Sequence, residues 1–509
     1  MEWVTDMAAK RAGLSPHALA FIDLESGQEF TFAALNEQAE RIAAGLAHMG
    51  LQTGDRVAIL CLNHVEFFSI LFAAQKTGLI LVPLNWRQPV AELEPILKLS
   101  EATLLIHDDA FSEAAHDLKA RVDLPLCNLE GDGEHDLSAM MAAAPANSPE
   151  ARPIASNAPW YLLYTSGTTG NPKAVIQTAG MAWANAVNYG QAVDLTSTDT
   201  SVNFLPLFHT AGINLLTLPL FLAGGCSTVL RKFDADAVIN LLAGGKVSAF
   251  FGVPAIYQAL SLHPRIDDVD FTKLNSLGCG GAPIPAHLLT EFMERGATIC
   301  NGMGMTETGP TVFLMDKASA PLKVGSVGKA QMLTDVRLEG VDGRIVEGAG
   351  TGELQLRGPG ITPGYMGNAQ ATAATFTPDG WLKSGDIAQR DEDGYYYIID
   401  RIKDMYISGG ENVYPAEVEK VLTTHPAILE AVVIGVADAK WGEVGAAFLI
   451  ERPGADLNTA DMTGWCRERL AAYKVPKSFQ VVDEMPRTAA GKVRKNILKN
   501  TFTNEAEEV

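Results

Sequence analysis

No two of the six cysteines, Cys61, Cys127, Cys226, Cys279, Cys300 and Cys466, lie close together in the chain. That scatter argues against a disulfide framework and against a zinc site, and it fits reduced thiols in a cytoplasmic protein. Positive charge is also in deficit. Against 60 aspartates and glutamates stand 39 lysines and arginines, a formal net charge of -21, and no run of Lys and Arg offsets it locally. A chain of this sign repels nucleic acid and anionic membrane surfaces, so neither is an expected partner. Long apolar runs are missing too. The most apolar stretches, 67–84 and 213–226, are broken by Gln75 and Lys76 or are short and contain Pro219, so no membrane span is expected. The opening MEWVTDMAAKRAG carries acids where a secretory signal is basic, and no apolar core follows it.

At 509 residues the chain exceeds the size at which one hydrophobic core stops growing, so at least two domains are expected. The segment ALNEQAERIAAGLAHMG sets Leu35, Ala39, Ile42 and Leu46 on one helical face and closes on Gly50. After it RVAILC, LILVP and TLLI read as strands separated by helices from about Val65 and from Glu92 to Leu99. That alternation predicts a layered α/β domain with parallel strands, and STVL and VSAFFG continue it. DEDGYYYIIDRIKD reads as an Asp-Gly turn, a strand and a charged segment. Beyond it the character changes: Pro415 opens a helix, AVVIGVAD and GAAFLIE read as strands, and a long helix is expected through Trp465 to Ala472. The expected domains are therefore 1–402 and 403–509, the second a small α+β unit. The stretch 142–159, rich in Ala, Pro, Ser and Asn, reads as a surface loop.

Between two apolar strands lies YTSGTTGNPK, Tyr164 to Lys173. Its glycines allow backbone N–H groups to approach a ligand, its hydroxyls add donors, and Lys173 adds a point charge, a composition suited to polyphosphate. A Gly-rich hairpin turn is the alternative reading of the same residues. The P-loop pattern is excluded, because Pro172 precedes Lys173 and Ala174 follows it. Further polar, Gly-containing blocks are GCGGAP (278–283), NGMGMTETG (301–309), WLKSGDIA (381–388) and PRTAAGKVRK near the C-terminus.

In their order and spacing these blocks make the chain resemble, over nearly its whole length, the superfamily of AMP-forming acyl- and aryl-CoA synthetases, adenylation domains and luciferases. The resemblance implies a large N-terminal domain, a small mobile C-terminal domain and two half-reactions. A carboxylic acid attacks the α-phosphate of ATP to give acyl-AMP and pyrophosphate, and a thiol then takes the acyl group. It implies that Thr165, Ser166, Gly167, Thr168, Thr169, Gly170 and Lys173 hold the β- and γ-phosphates, that Glu307 binds Mg2+, and that Thr306 donates to the α-phosphate. Gly280, Gly281, Ala282 and Pro283, with Asn301, Gly302, Met303 and Gly304, are implied to hold adenine, Asp386 the ribose hydroxyls, and Arg401 the ribose or phosphate. Lys403 is the implied pivot, and Lys492 the lysine that reaches the α-phosphate. Gly409 and Gly410 would flank the pantetheine tunnel of coenzyme A, and His209 would stand where that tunnel meets the acyl pocket.

One position departs from the family pattern, and a second distinguishes the chain from some relatives. Met303 stands where an aromatic residue commonly stacks on adenine, and a thioether makes a weaker contact. Gly302 stands where dicarboxylate-specific relatives carry arginine, which removes charge and is expected to add room. No aspartate accompanies His209 in LPLFHTAG to pair a substrate ammonium. The acid is therefore expected to be apolar, a medium- or long-chain fatty acid or an aromatic, cinnamate-like acid, with Phe208, Thr210, Phe251, Gly252, Met303 and the INLLTLPLFLAGG run as candidate lining. The expected partners are that acid, ATP and coenzyme A, and the sequence is compatible with a homodimer. The alternative acceptor is an acyl or peptidyl carrier protein loaded by a stand-alone adenylating enzyme. A binding protein that has lost its chemistry is disfavoured by the presence of Lys492, Glu307 and Asp386 together.

Overall fold

Apolar residues at helical spacing and short β-branched runs alternate through the first third of the chain, and they fold as that alternation reads. The computed structural model describes residues 2–131, 136–143, 154–166, 172–487 and 493–507. The helix Phe32–His48 buries Leu35, Ala39, Ile42 and Leu46 completely, and Gly50 follows it with a positive φ of 92°. The strands Arg56–Leu60, Ile80–Pro83 and Ala102–His107 pair in parallel, with the helices Val65–Thr77 and Val90–Ser100 as crossovers. They belong to a six-stranded sheet that Leu126–Asn128 closes at one edge. At the other edge Pro159–Ser166 and Pro172–Thr178 form an antiparallel pair, so the expected strand, loop and strand around the polar loop are present.

Two compact units make up the chain: Met1–Asp335 with Leu356–Leu382, and Val336–Gln355 with Lys383–Val509. The first also holds a four-stranded sheet and a five-stranded sheet ordered Ala249–Gly252, Ser276–Cys279, Ile299–Gly304, Thr311–Leu314 and Lys329–Ala330. The middle strand of the five switches partner type. It runs parallel to Ser276–Cys279 through Asn301, then pairs antiparallel with Thr311–Leu314 from Gly302 onward. Among the described residues no helix is long and apolar enough to cross a membrane.

The second unit contains the strands Gly350–Arg357, Leu382–Arg390 and Tyr396–Arg401, and a further sheet built on the long hairpin Ile428–Asp438 with Gly442–Glu451. The helix Pro415–Leu422 opens at its proline as expected. The long helix expected through Trp465 to Ala472 is corrected: only Met462–Arg467 is α-helical, and a 3-10 turn follows at Ala472–Lys474. Only Met462 and Cys466 of that helix are buried, so one turn suffices to cover the core, and the chain then turns toward the strand Ser478–Val481. Part of the expected surface loop is also ordered, because Ile154–Ala155 pairs with Trp3–Val4.

The partner switch at Gly302 has a steric price that glycine alone meets. A Cβ on Gly304 would sit 1.6 Å from the carbonyl oxygen of Pro310. Gly304→Ala is expected to destabilise the first unit by about 3 kcal/mol through overpacking against backbone. Gly13→Ala, where a Cβ meets nothing within 4 Å near the end of the helix Met7–Leu14, is expected to stabilise by about 0.5 to 1 kcal/mol. Thermal unfolding of both variants checks the pair; equal midpoints would contradict it.

Candidate active site

The strand Pro172–Thr178 organises the polar residues of the first unit. Lys173 lies directly across from Thr165 in the antiparallel pair, so the base of the polar loop is fixed by backbone register. The backbone of 362–366 runs along the other side of the strand. Ile176 N–H donates to the Gly364 carbonyl at 3.1 Å, Met366 N–H donates to the Ala174 carbonyl at 2.9 Å, and Val175 pairs with Tyr365. Lys173, Val175 and Gln177 share one face of the strand by its period of two. Lys173 Nζ lies 5.1 Å from the centre of the Tyr365 ring, and Gln177 Nε2 donates to the Thr306 carbonyl at 2.8 Å.

Tyr365 ties this face to Glu307. Its hydroxyl donates to Glu307 Oε1 at 2.9 Å, while Thr362 N–H donates to the Glu307 carbonyl at 2.8 Å. Burial, reinforced by the Glu307 charge, pushes the Tyr365 phenol up to about 12, so it remains a donor throughout the neutral range. Among the described residues no lysine or arginine forms an ion pair with Glu307. A partly exposed carboxylate with one oxygen anchored and no cationic partner fits a hard divalent cation such as magnesium. Thr306 lies beside Glu307 in the 3-10 turn Thr306–Thr308.

Gly281, Ala282 and Pro283 are exposed just beyond the strand Ser276–Cys279, and Gly281 has a φ of 82°. Gly280 is packed beneath them, where a Cβ would meet the Gly302 carbonyl and the Phe251 ring, each at 3.1 Å. Phe251 also fills the space above Gly278, where a Cβ would approach its ring at 2.4 Å, and Gly252 follows Phe251 at the strand end. Asn301 is buried, with Nδ2 donating to the Ser326 carbonyl at 3.3 Å, and Met303 pairs with Phe313. The room expected at Gly302 is taken: a Cβ there would lie 2.9 Å from the Phe313 carbonyl oxygen and 3.0 Å from Leu314. This glycine serves backbone packing, and a larger side chain could enter only if the neighbouring strand shifted.

His209 is partly exposed between the buried Phe208 and Thr210, its ring 5.4 Å from that of Phe208. Phe208 meets Trp86 edge-on at 6.1 Å, and the Arg87 guanidinium lies 4.7 Å from the Trp86 ring centre and 5.9 Å from that of Phe208. The run after Thr210 is a π-helix, Ala211–Leu215, a form often found at functional sites. Buried amides hold it in place. Asn203 Nδ2 donates to the Gly212 carbonyl at 2.9 Å, Asn185 Nδ2 donates to the Asn214 carbonyl, and Asn214 Nδ2 donates to the Gly309 carbonyl. The helix Ala179–Ala192 therefore turns Asn185 and Tyr189 toward this region. Its opposite face, with Trp183, Ala184 and Val187, borders a cavity of about 480 Å3 that none of the predicted site residues lines.

Tyr189 is fully buried beside Ser276 and Cys300, its hydroxyl facing that of Ser276, and neither hydroxyl bonds any other group at bonding geometry. Tyr189, Ser276, Tyr365 and Arg87 escaped the sequence reading. The glycines around Tyr365 in TPGYMGN were the one available signal.

In the second unit Asp386 and Arg401 are register partners on adjacent strands. Arg401 Nε donates to the buried Asp386 carboxylate at 2.7 Å. Glu353, its carboxyl raised by burial, accepts from Gly385 N–H at 3.3 Å just before Asp386. Lys403 is exposed in the turn after Arg401. Gly409 and Gly410 have φ of 62° and 90° and make the two-residue turn between Ser408 and Glu411, so hairpin geometry alone already requires glycine there. Gly167, Thr168, Thr169, Gly170 and Lys492 lie outside the described residues, as does the side chain of Ser166.

Family profiles match in two parts, AMP-binding enzyme over residues 8–366 and AMP-binding enzyme C-terminal domain over 417–492. A feruloyl-CoA synthase from Amycolatopsis sp. is 40% identical over 97% of this chain and 98% of its own. An indoleacetate–CoA ligase from Aromatoleum aromaticum is 34% identical over 99% of both chains. The structure of o-succinylbenzoate coenzyme A synthetase from Bacillus subtilis in complex with ATP and magnesium ion is similar at a TM-score of 0.87 and 31% identity, covering 98% of this chain and 100% of that one. The anchored carboxylate Glu307, the hairpin with Lys173 and the paired Asp386 and Arg401 thus stand in a chain that belongs to the AMP-binding enzyme family, among its AMP-forming acid–thiol ligases.

Proposed function

We propose that the protein joins an aryl acid of hydroxycinnamate type to the thiol of coenzyme A through an acyl-adenylate. The observation that carries the choice of acid is the 40% identity, over nearly the whole chain, to a feruloyl-CoA synthase. The relatives named for feruloyl and indoleacetate support an aromatic acid.

In the first half-reaction a carboxylate oxygen attacks the α-phosphorus, and the bond from that phosphorus to the oxygen bridging to the β-phosphate breaks. Lys173, the Thr165 hydroxyl and the loop donors take up the charge of the departing pyrophosphate, and Thr306 donates to the α-phosphate. Glu307 would hold magnesium, which when bound would supply further charge neutralisation. Asp386 accepts from the ribose hydroxyls while Arg401 keeps it in place, and Lys492 reaches the α-phosphate. In the second half-reaction the thiol sulfur attacks the acyl carbon, AMP leaves, and the thiol proton is lost. The charge of Arg87, which lies over the rings of Trp86 and Phe208, would attract the anionic part of coenzyme A. Rotation at Lys403 exchanges the two states.

Turnover measured across a panel tests the acid. Ferulate and coumarate are expected to exceed cinnamate, decanoate, malonate and amino acids, with AMP and pyrophosphate as products. A faster rate with decanoate or an amino acid would overturn the choice of acid.

Tyr365→Phe removes only the hydroxyl that anchors Glu307. Its apparent magnesium affinity in acyl-AMP formation should fall about 10-fold or more, as for other groups that orient a metal ligand. An unchanged magnesium titration would remove Tyr365 from the site.

Lys492→Ala should lower acyl-AMP formation by about 10^2 to 10^3 and still convert supplied acyl-AMP and coenzyme A to thioester. Lys403→Pro should show the reverse, because a fixed φ stiffens the pivot. Equal slowing of both steps by Lys492→Ala would contradict alternation.

A further inference from the structure

The run that follows His209 and Thr210 buries an amide where its neighbours are apolar. Asn214 is fully buried between Ile213 and Leu215 in the π-helix Ala211–Leu215. Its Nδ2 donates to the Gly309 carbonyl, while its Oδ1 meets no partner at bonding geometry. An apolar side chain of similar size would leave no polar atom bare, so packing gives no reason for asparagine there. What the amide adds is direction, one donor aimed at one carbonyl.

Gly309 closes the turn Thr306–Thr308 with a φ of 62°. The carbonyl that Asn214 holds therefore belongs to the backbone that leaves Thr306 and Glu307, and the π-helix begins just after His209 and Thr210. Asn214 joins the segment placed above at the acid and thiol to the turn placed above at the α-phosphate and magnesium. Asn185 braces the same junction from a third element. It lies in the helix Ala179–Ala192, whose cap Thr178 is the last residue of the strand that carries Lys173. Its Nδ2 donates to the Asn214 carbonyl, and its Oδ1 accepts from the Thr311 hydroxyl at 2.6 Å. Asn185 and Thr311 are both buried. The π-helix is itself anchored, because Asn203 Nδ2, at the end of the strand Thr200–Asn203, donates to the Gly212 carbonyl at 2.9 Å. A Cβ on Gly212 would lie 2.4 Å from the Pro206 carbonyl oxygen, so the π-helix also sits directly on the backbone that leads to His209.

We propose that Asn214, Asn185 and Thr311 are positioning residues for acyl-adenylate formation, setting the distance between the acid held on the His209 side and the α-phosphate held on the Thr306 side. The proposal rests on the roles given above to His209, Thr306 and Glu307. None of the three residues touches a reactant. Attack needs the reacting atoms about 3 to 3.5 Å apart, so a shift of about 1 Å between the two segments slows the chemical step without loosening either substrate.

The test uses the full-length enzyme and the acid that turns over fastest in the panel above. It reads single-turnover acyl-AMP formation per active site, with the dissociation constants of that acid and of ATP measured separately by equilibrium binding. Asn214→Leu and Thr311→Val should each slow acyl-AMP formation by about 10- to 100-fold and change both constants by less than about twofold. Thr311→Ser, which keeps the hydroxyl, should retain most of the rate. Combining Asn214→Leu with Thr311→Val should be no slower than the worse single variant, since both act on one network. If Asn214→Leu does not fold, Thr311→Val, which keeps the side-chain shape and removes only the hydroxyl, decides the matter. An unchanged rate, affinities that fall in step with the rate, no rescue by serine, or additive single effects would overturn the proposal. His209→Ala and Glu307→Gln in the same assay separate the two ideas. If either leaves acyl-AMP formation intact, the role given to its segment is wrong and the proposal falls with it, whereas slow His209→Ala and Glu307→Gln beside normal Asn214→Leu and Thr311→Val reject the positioning network alone.

Discussion

The register of one strand, Pro172–Thr178, constrains the polar residues of the first unit. Three segments distant in sequence meet it: Thr165 across one ladder, Tyr365 across the other, and the Thr306 carbonyl through Gln177. Because the side-chain period is two, a slip of one residue would turn Lys173, Val175 and Gln177 to the opposite face and separate all three. The burial of Val175 and Gln177 makes such a slip costly. Hydrophobic packing on one part of the strand thereby fixes a charged group at its end, and Glu307 inherits its position through Tyr365.

The same dependence explains how much was legible in the sequence. The helix Phe32–His48 and the parallel strands around it were readable because their signal is local, an apolar period of 3.6 or a short β-branched run between turns. The polar blocks were readable because glycine, hydroxyl and lysine in that order suit phosphate. Tyr365 was not, since its partner Glu307 is 58 residues away and only strand pairing brings them together. Gly302 was misread as open space for a related reason: what occupies the position of its missing side chain is the carbonyl of Phe313, a residue on the next strand. The helix expected through Trp465 to Ala472 failed because local propensity says nothing about how soon the covered core ends.

Buried amides hold the backbone around the π-helix Ala211–Leu215. Asn185, Asn203 and Asn214 bond to the carbonyls of the π-helix and of Gly309, and so lock an irregular backbone that regular pairing could not satisfy. The Tyr189 and Ser276 hydroxyls on the same side face each other, while Asn203 and Asn214 use only the donor half of their amides, Oδ1 of each meeting no partner at bonding geometry.

A chain of net charge -21 that binds polyanions must keep its local cations available. Pairing Lys173 with a carboxylate would position it, but would also cancel its field at the phosphates. Among the described residues no carboxylate pairs with Lys173; its ammonium is held over the Tyr365 ring instead. An aromatic face attracts a cation through its quadrupole and leaves the net charge intact. Arg87 also lies over the rings of Trp86 and Phe208. Arg401 differs, paired with the buried Asp386 at 2.7 Å, so there guanidinium and carboxylate fix each other's orientation and offset each other's charge.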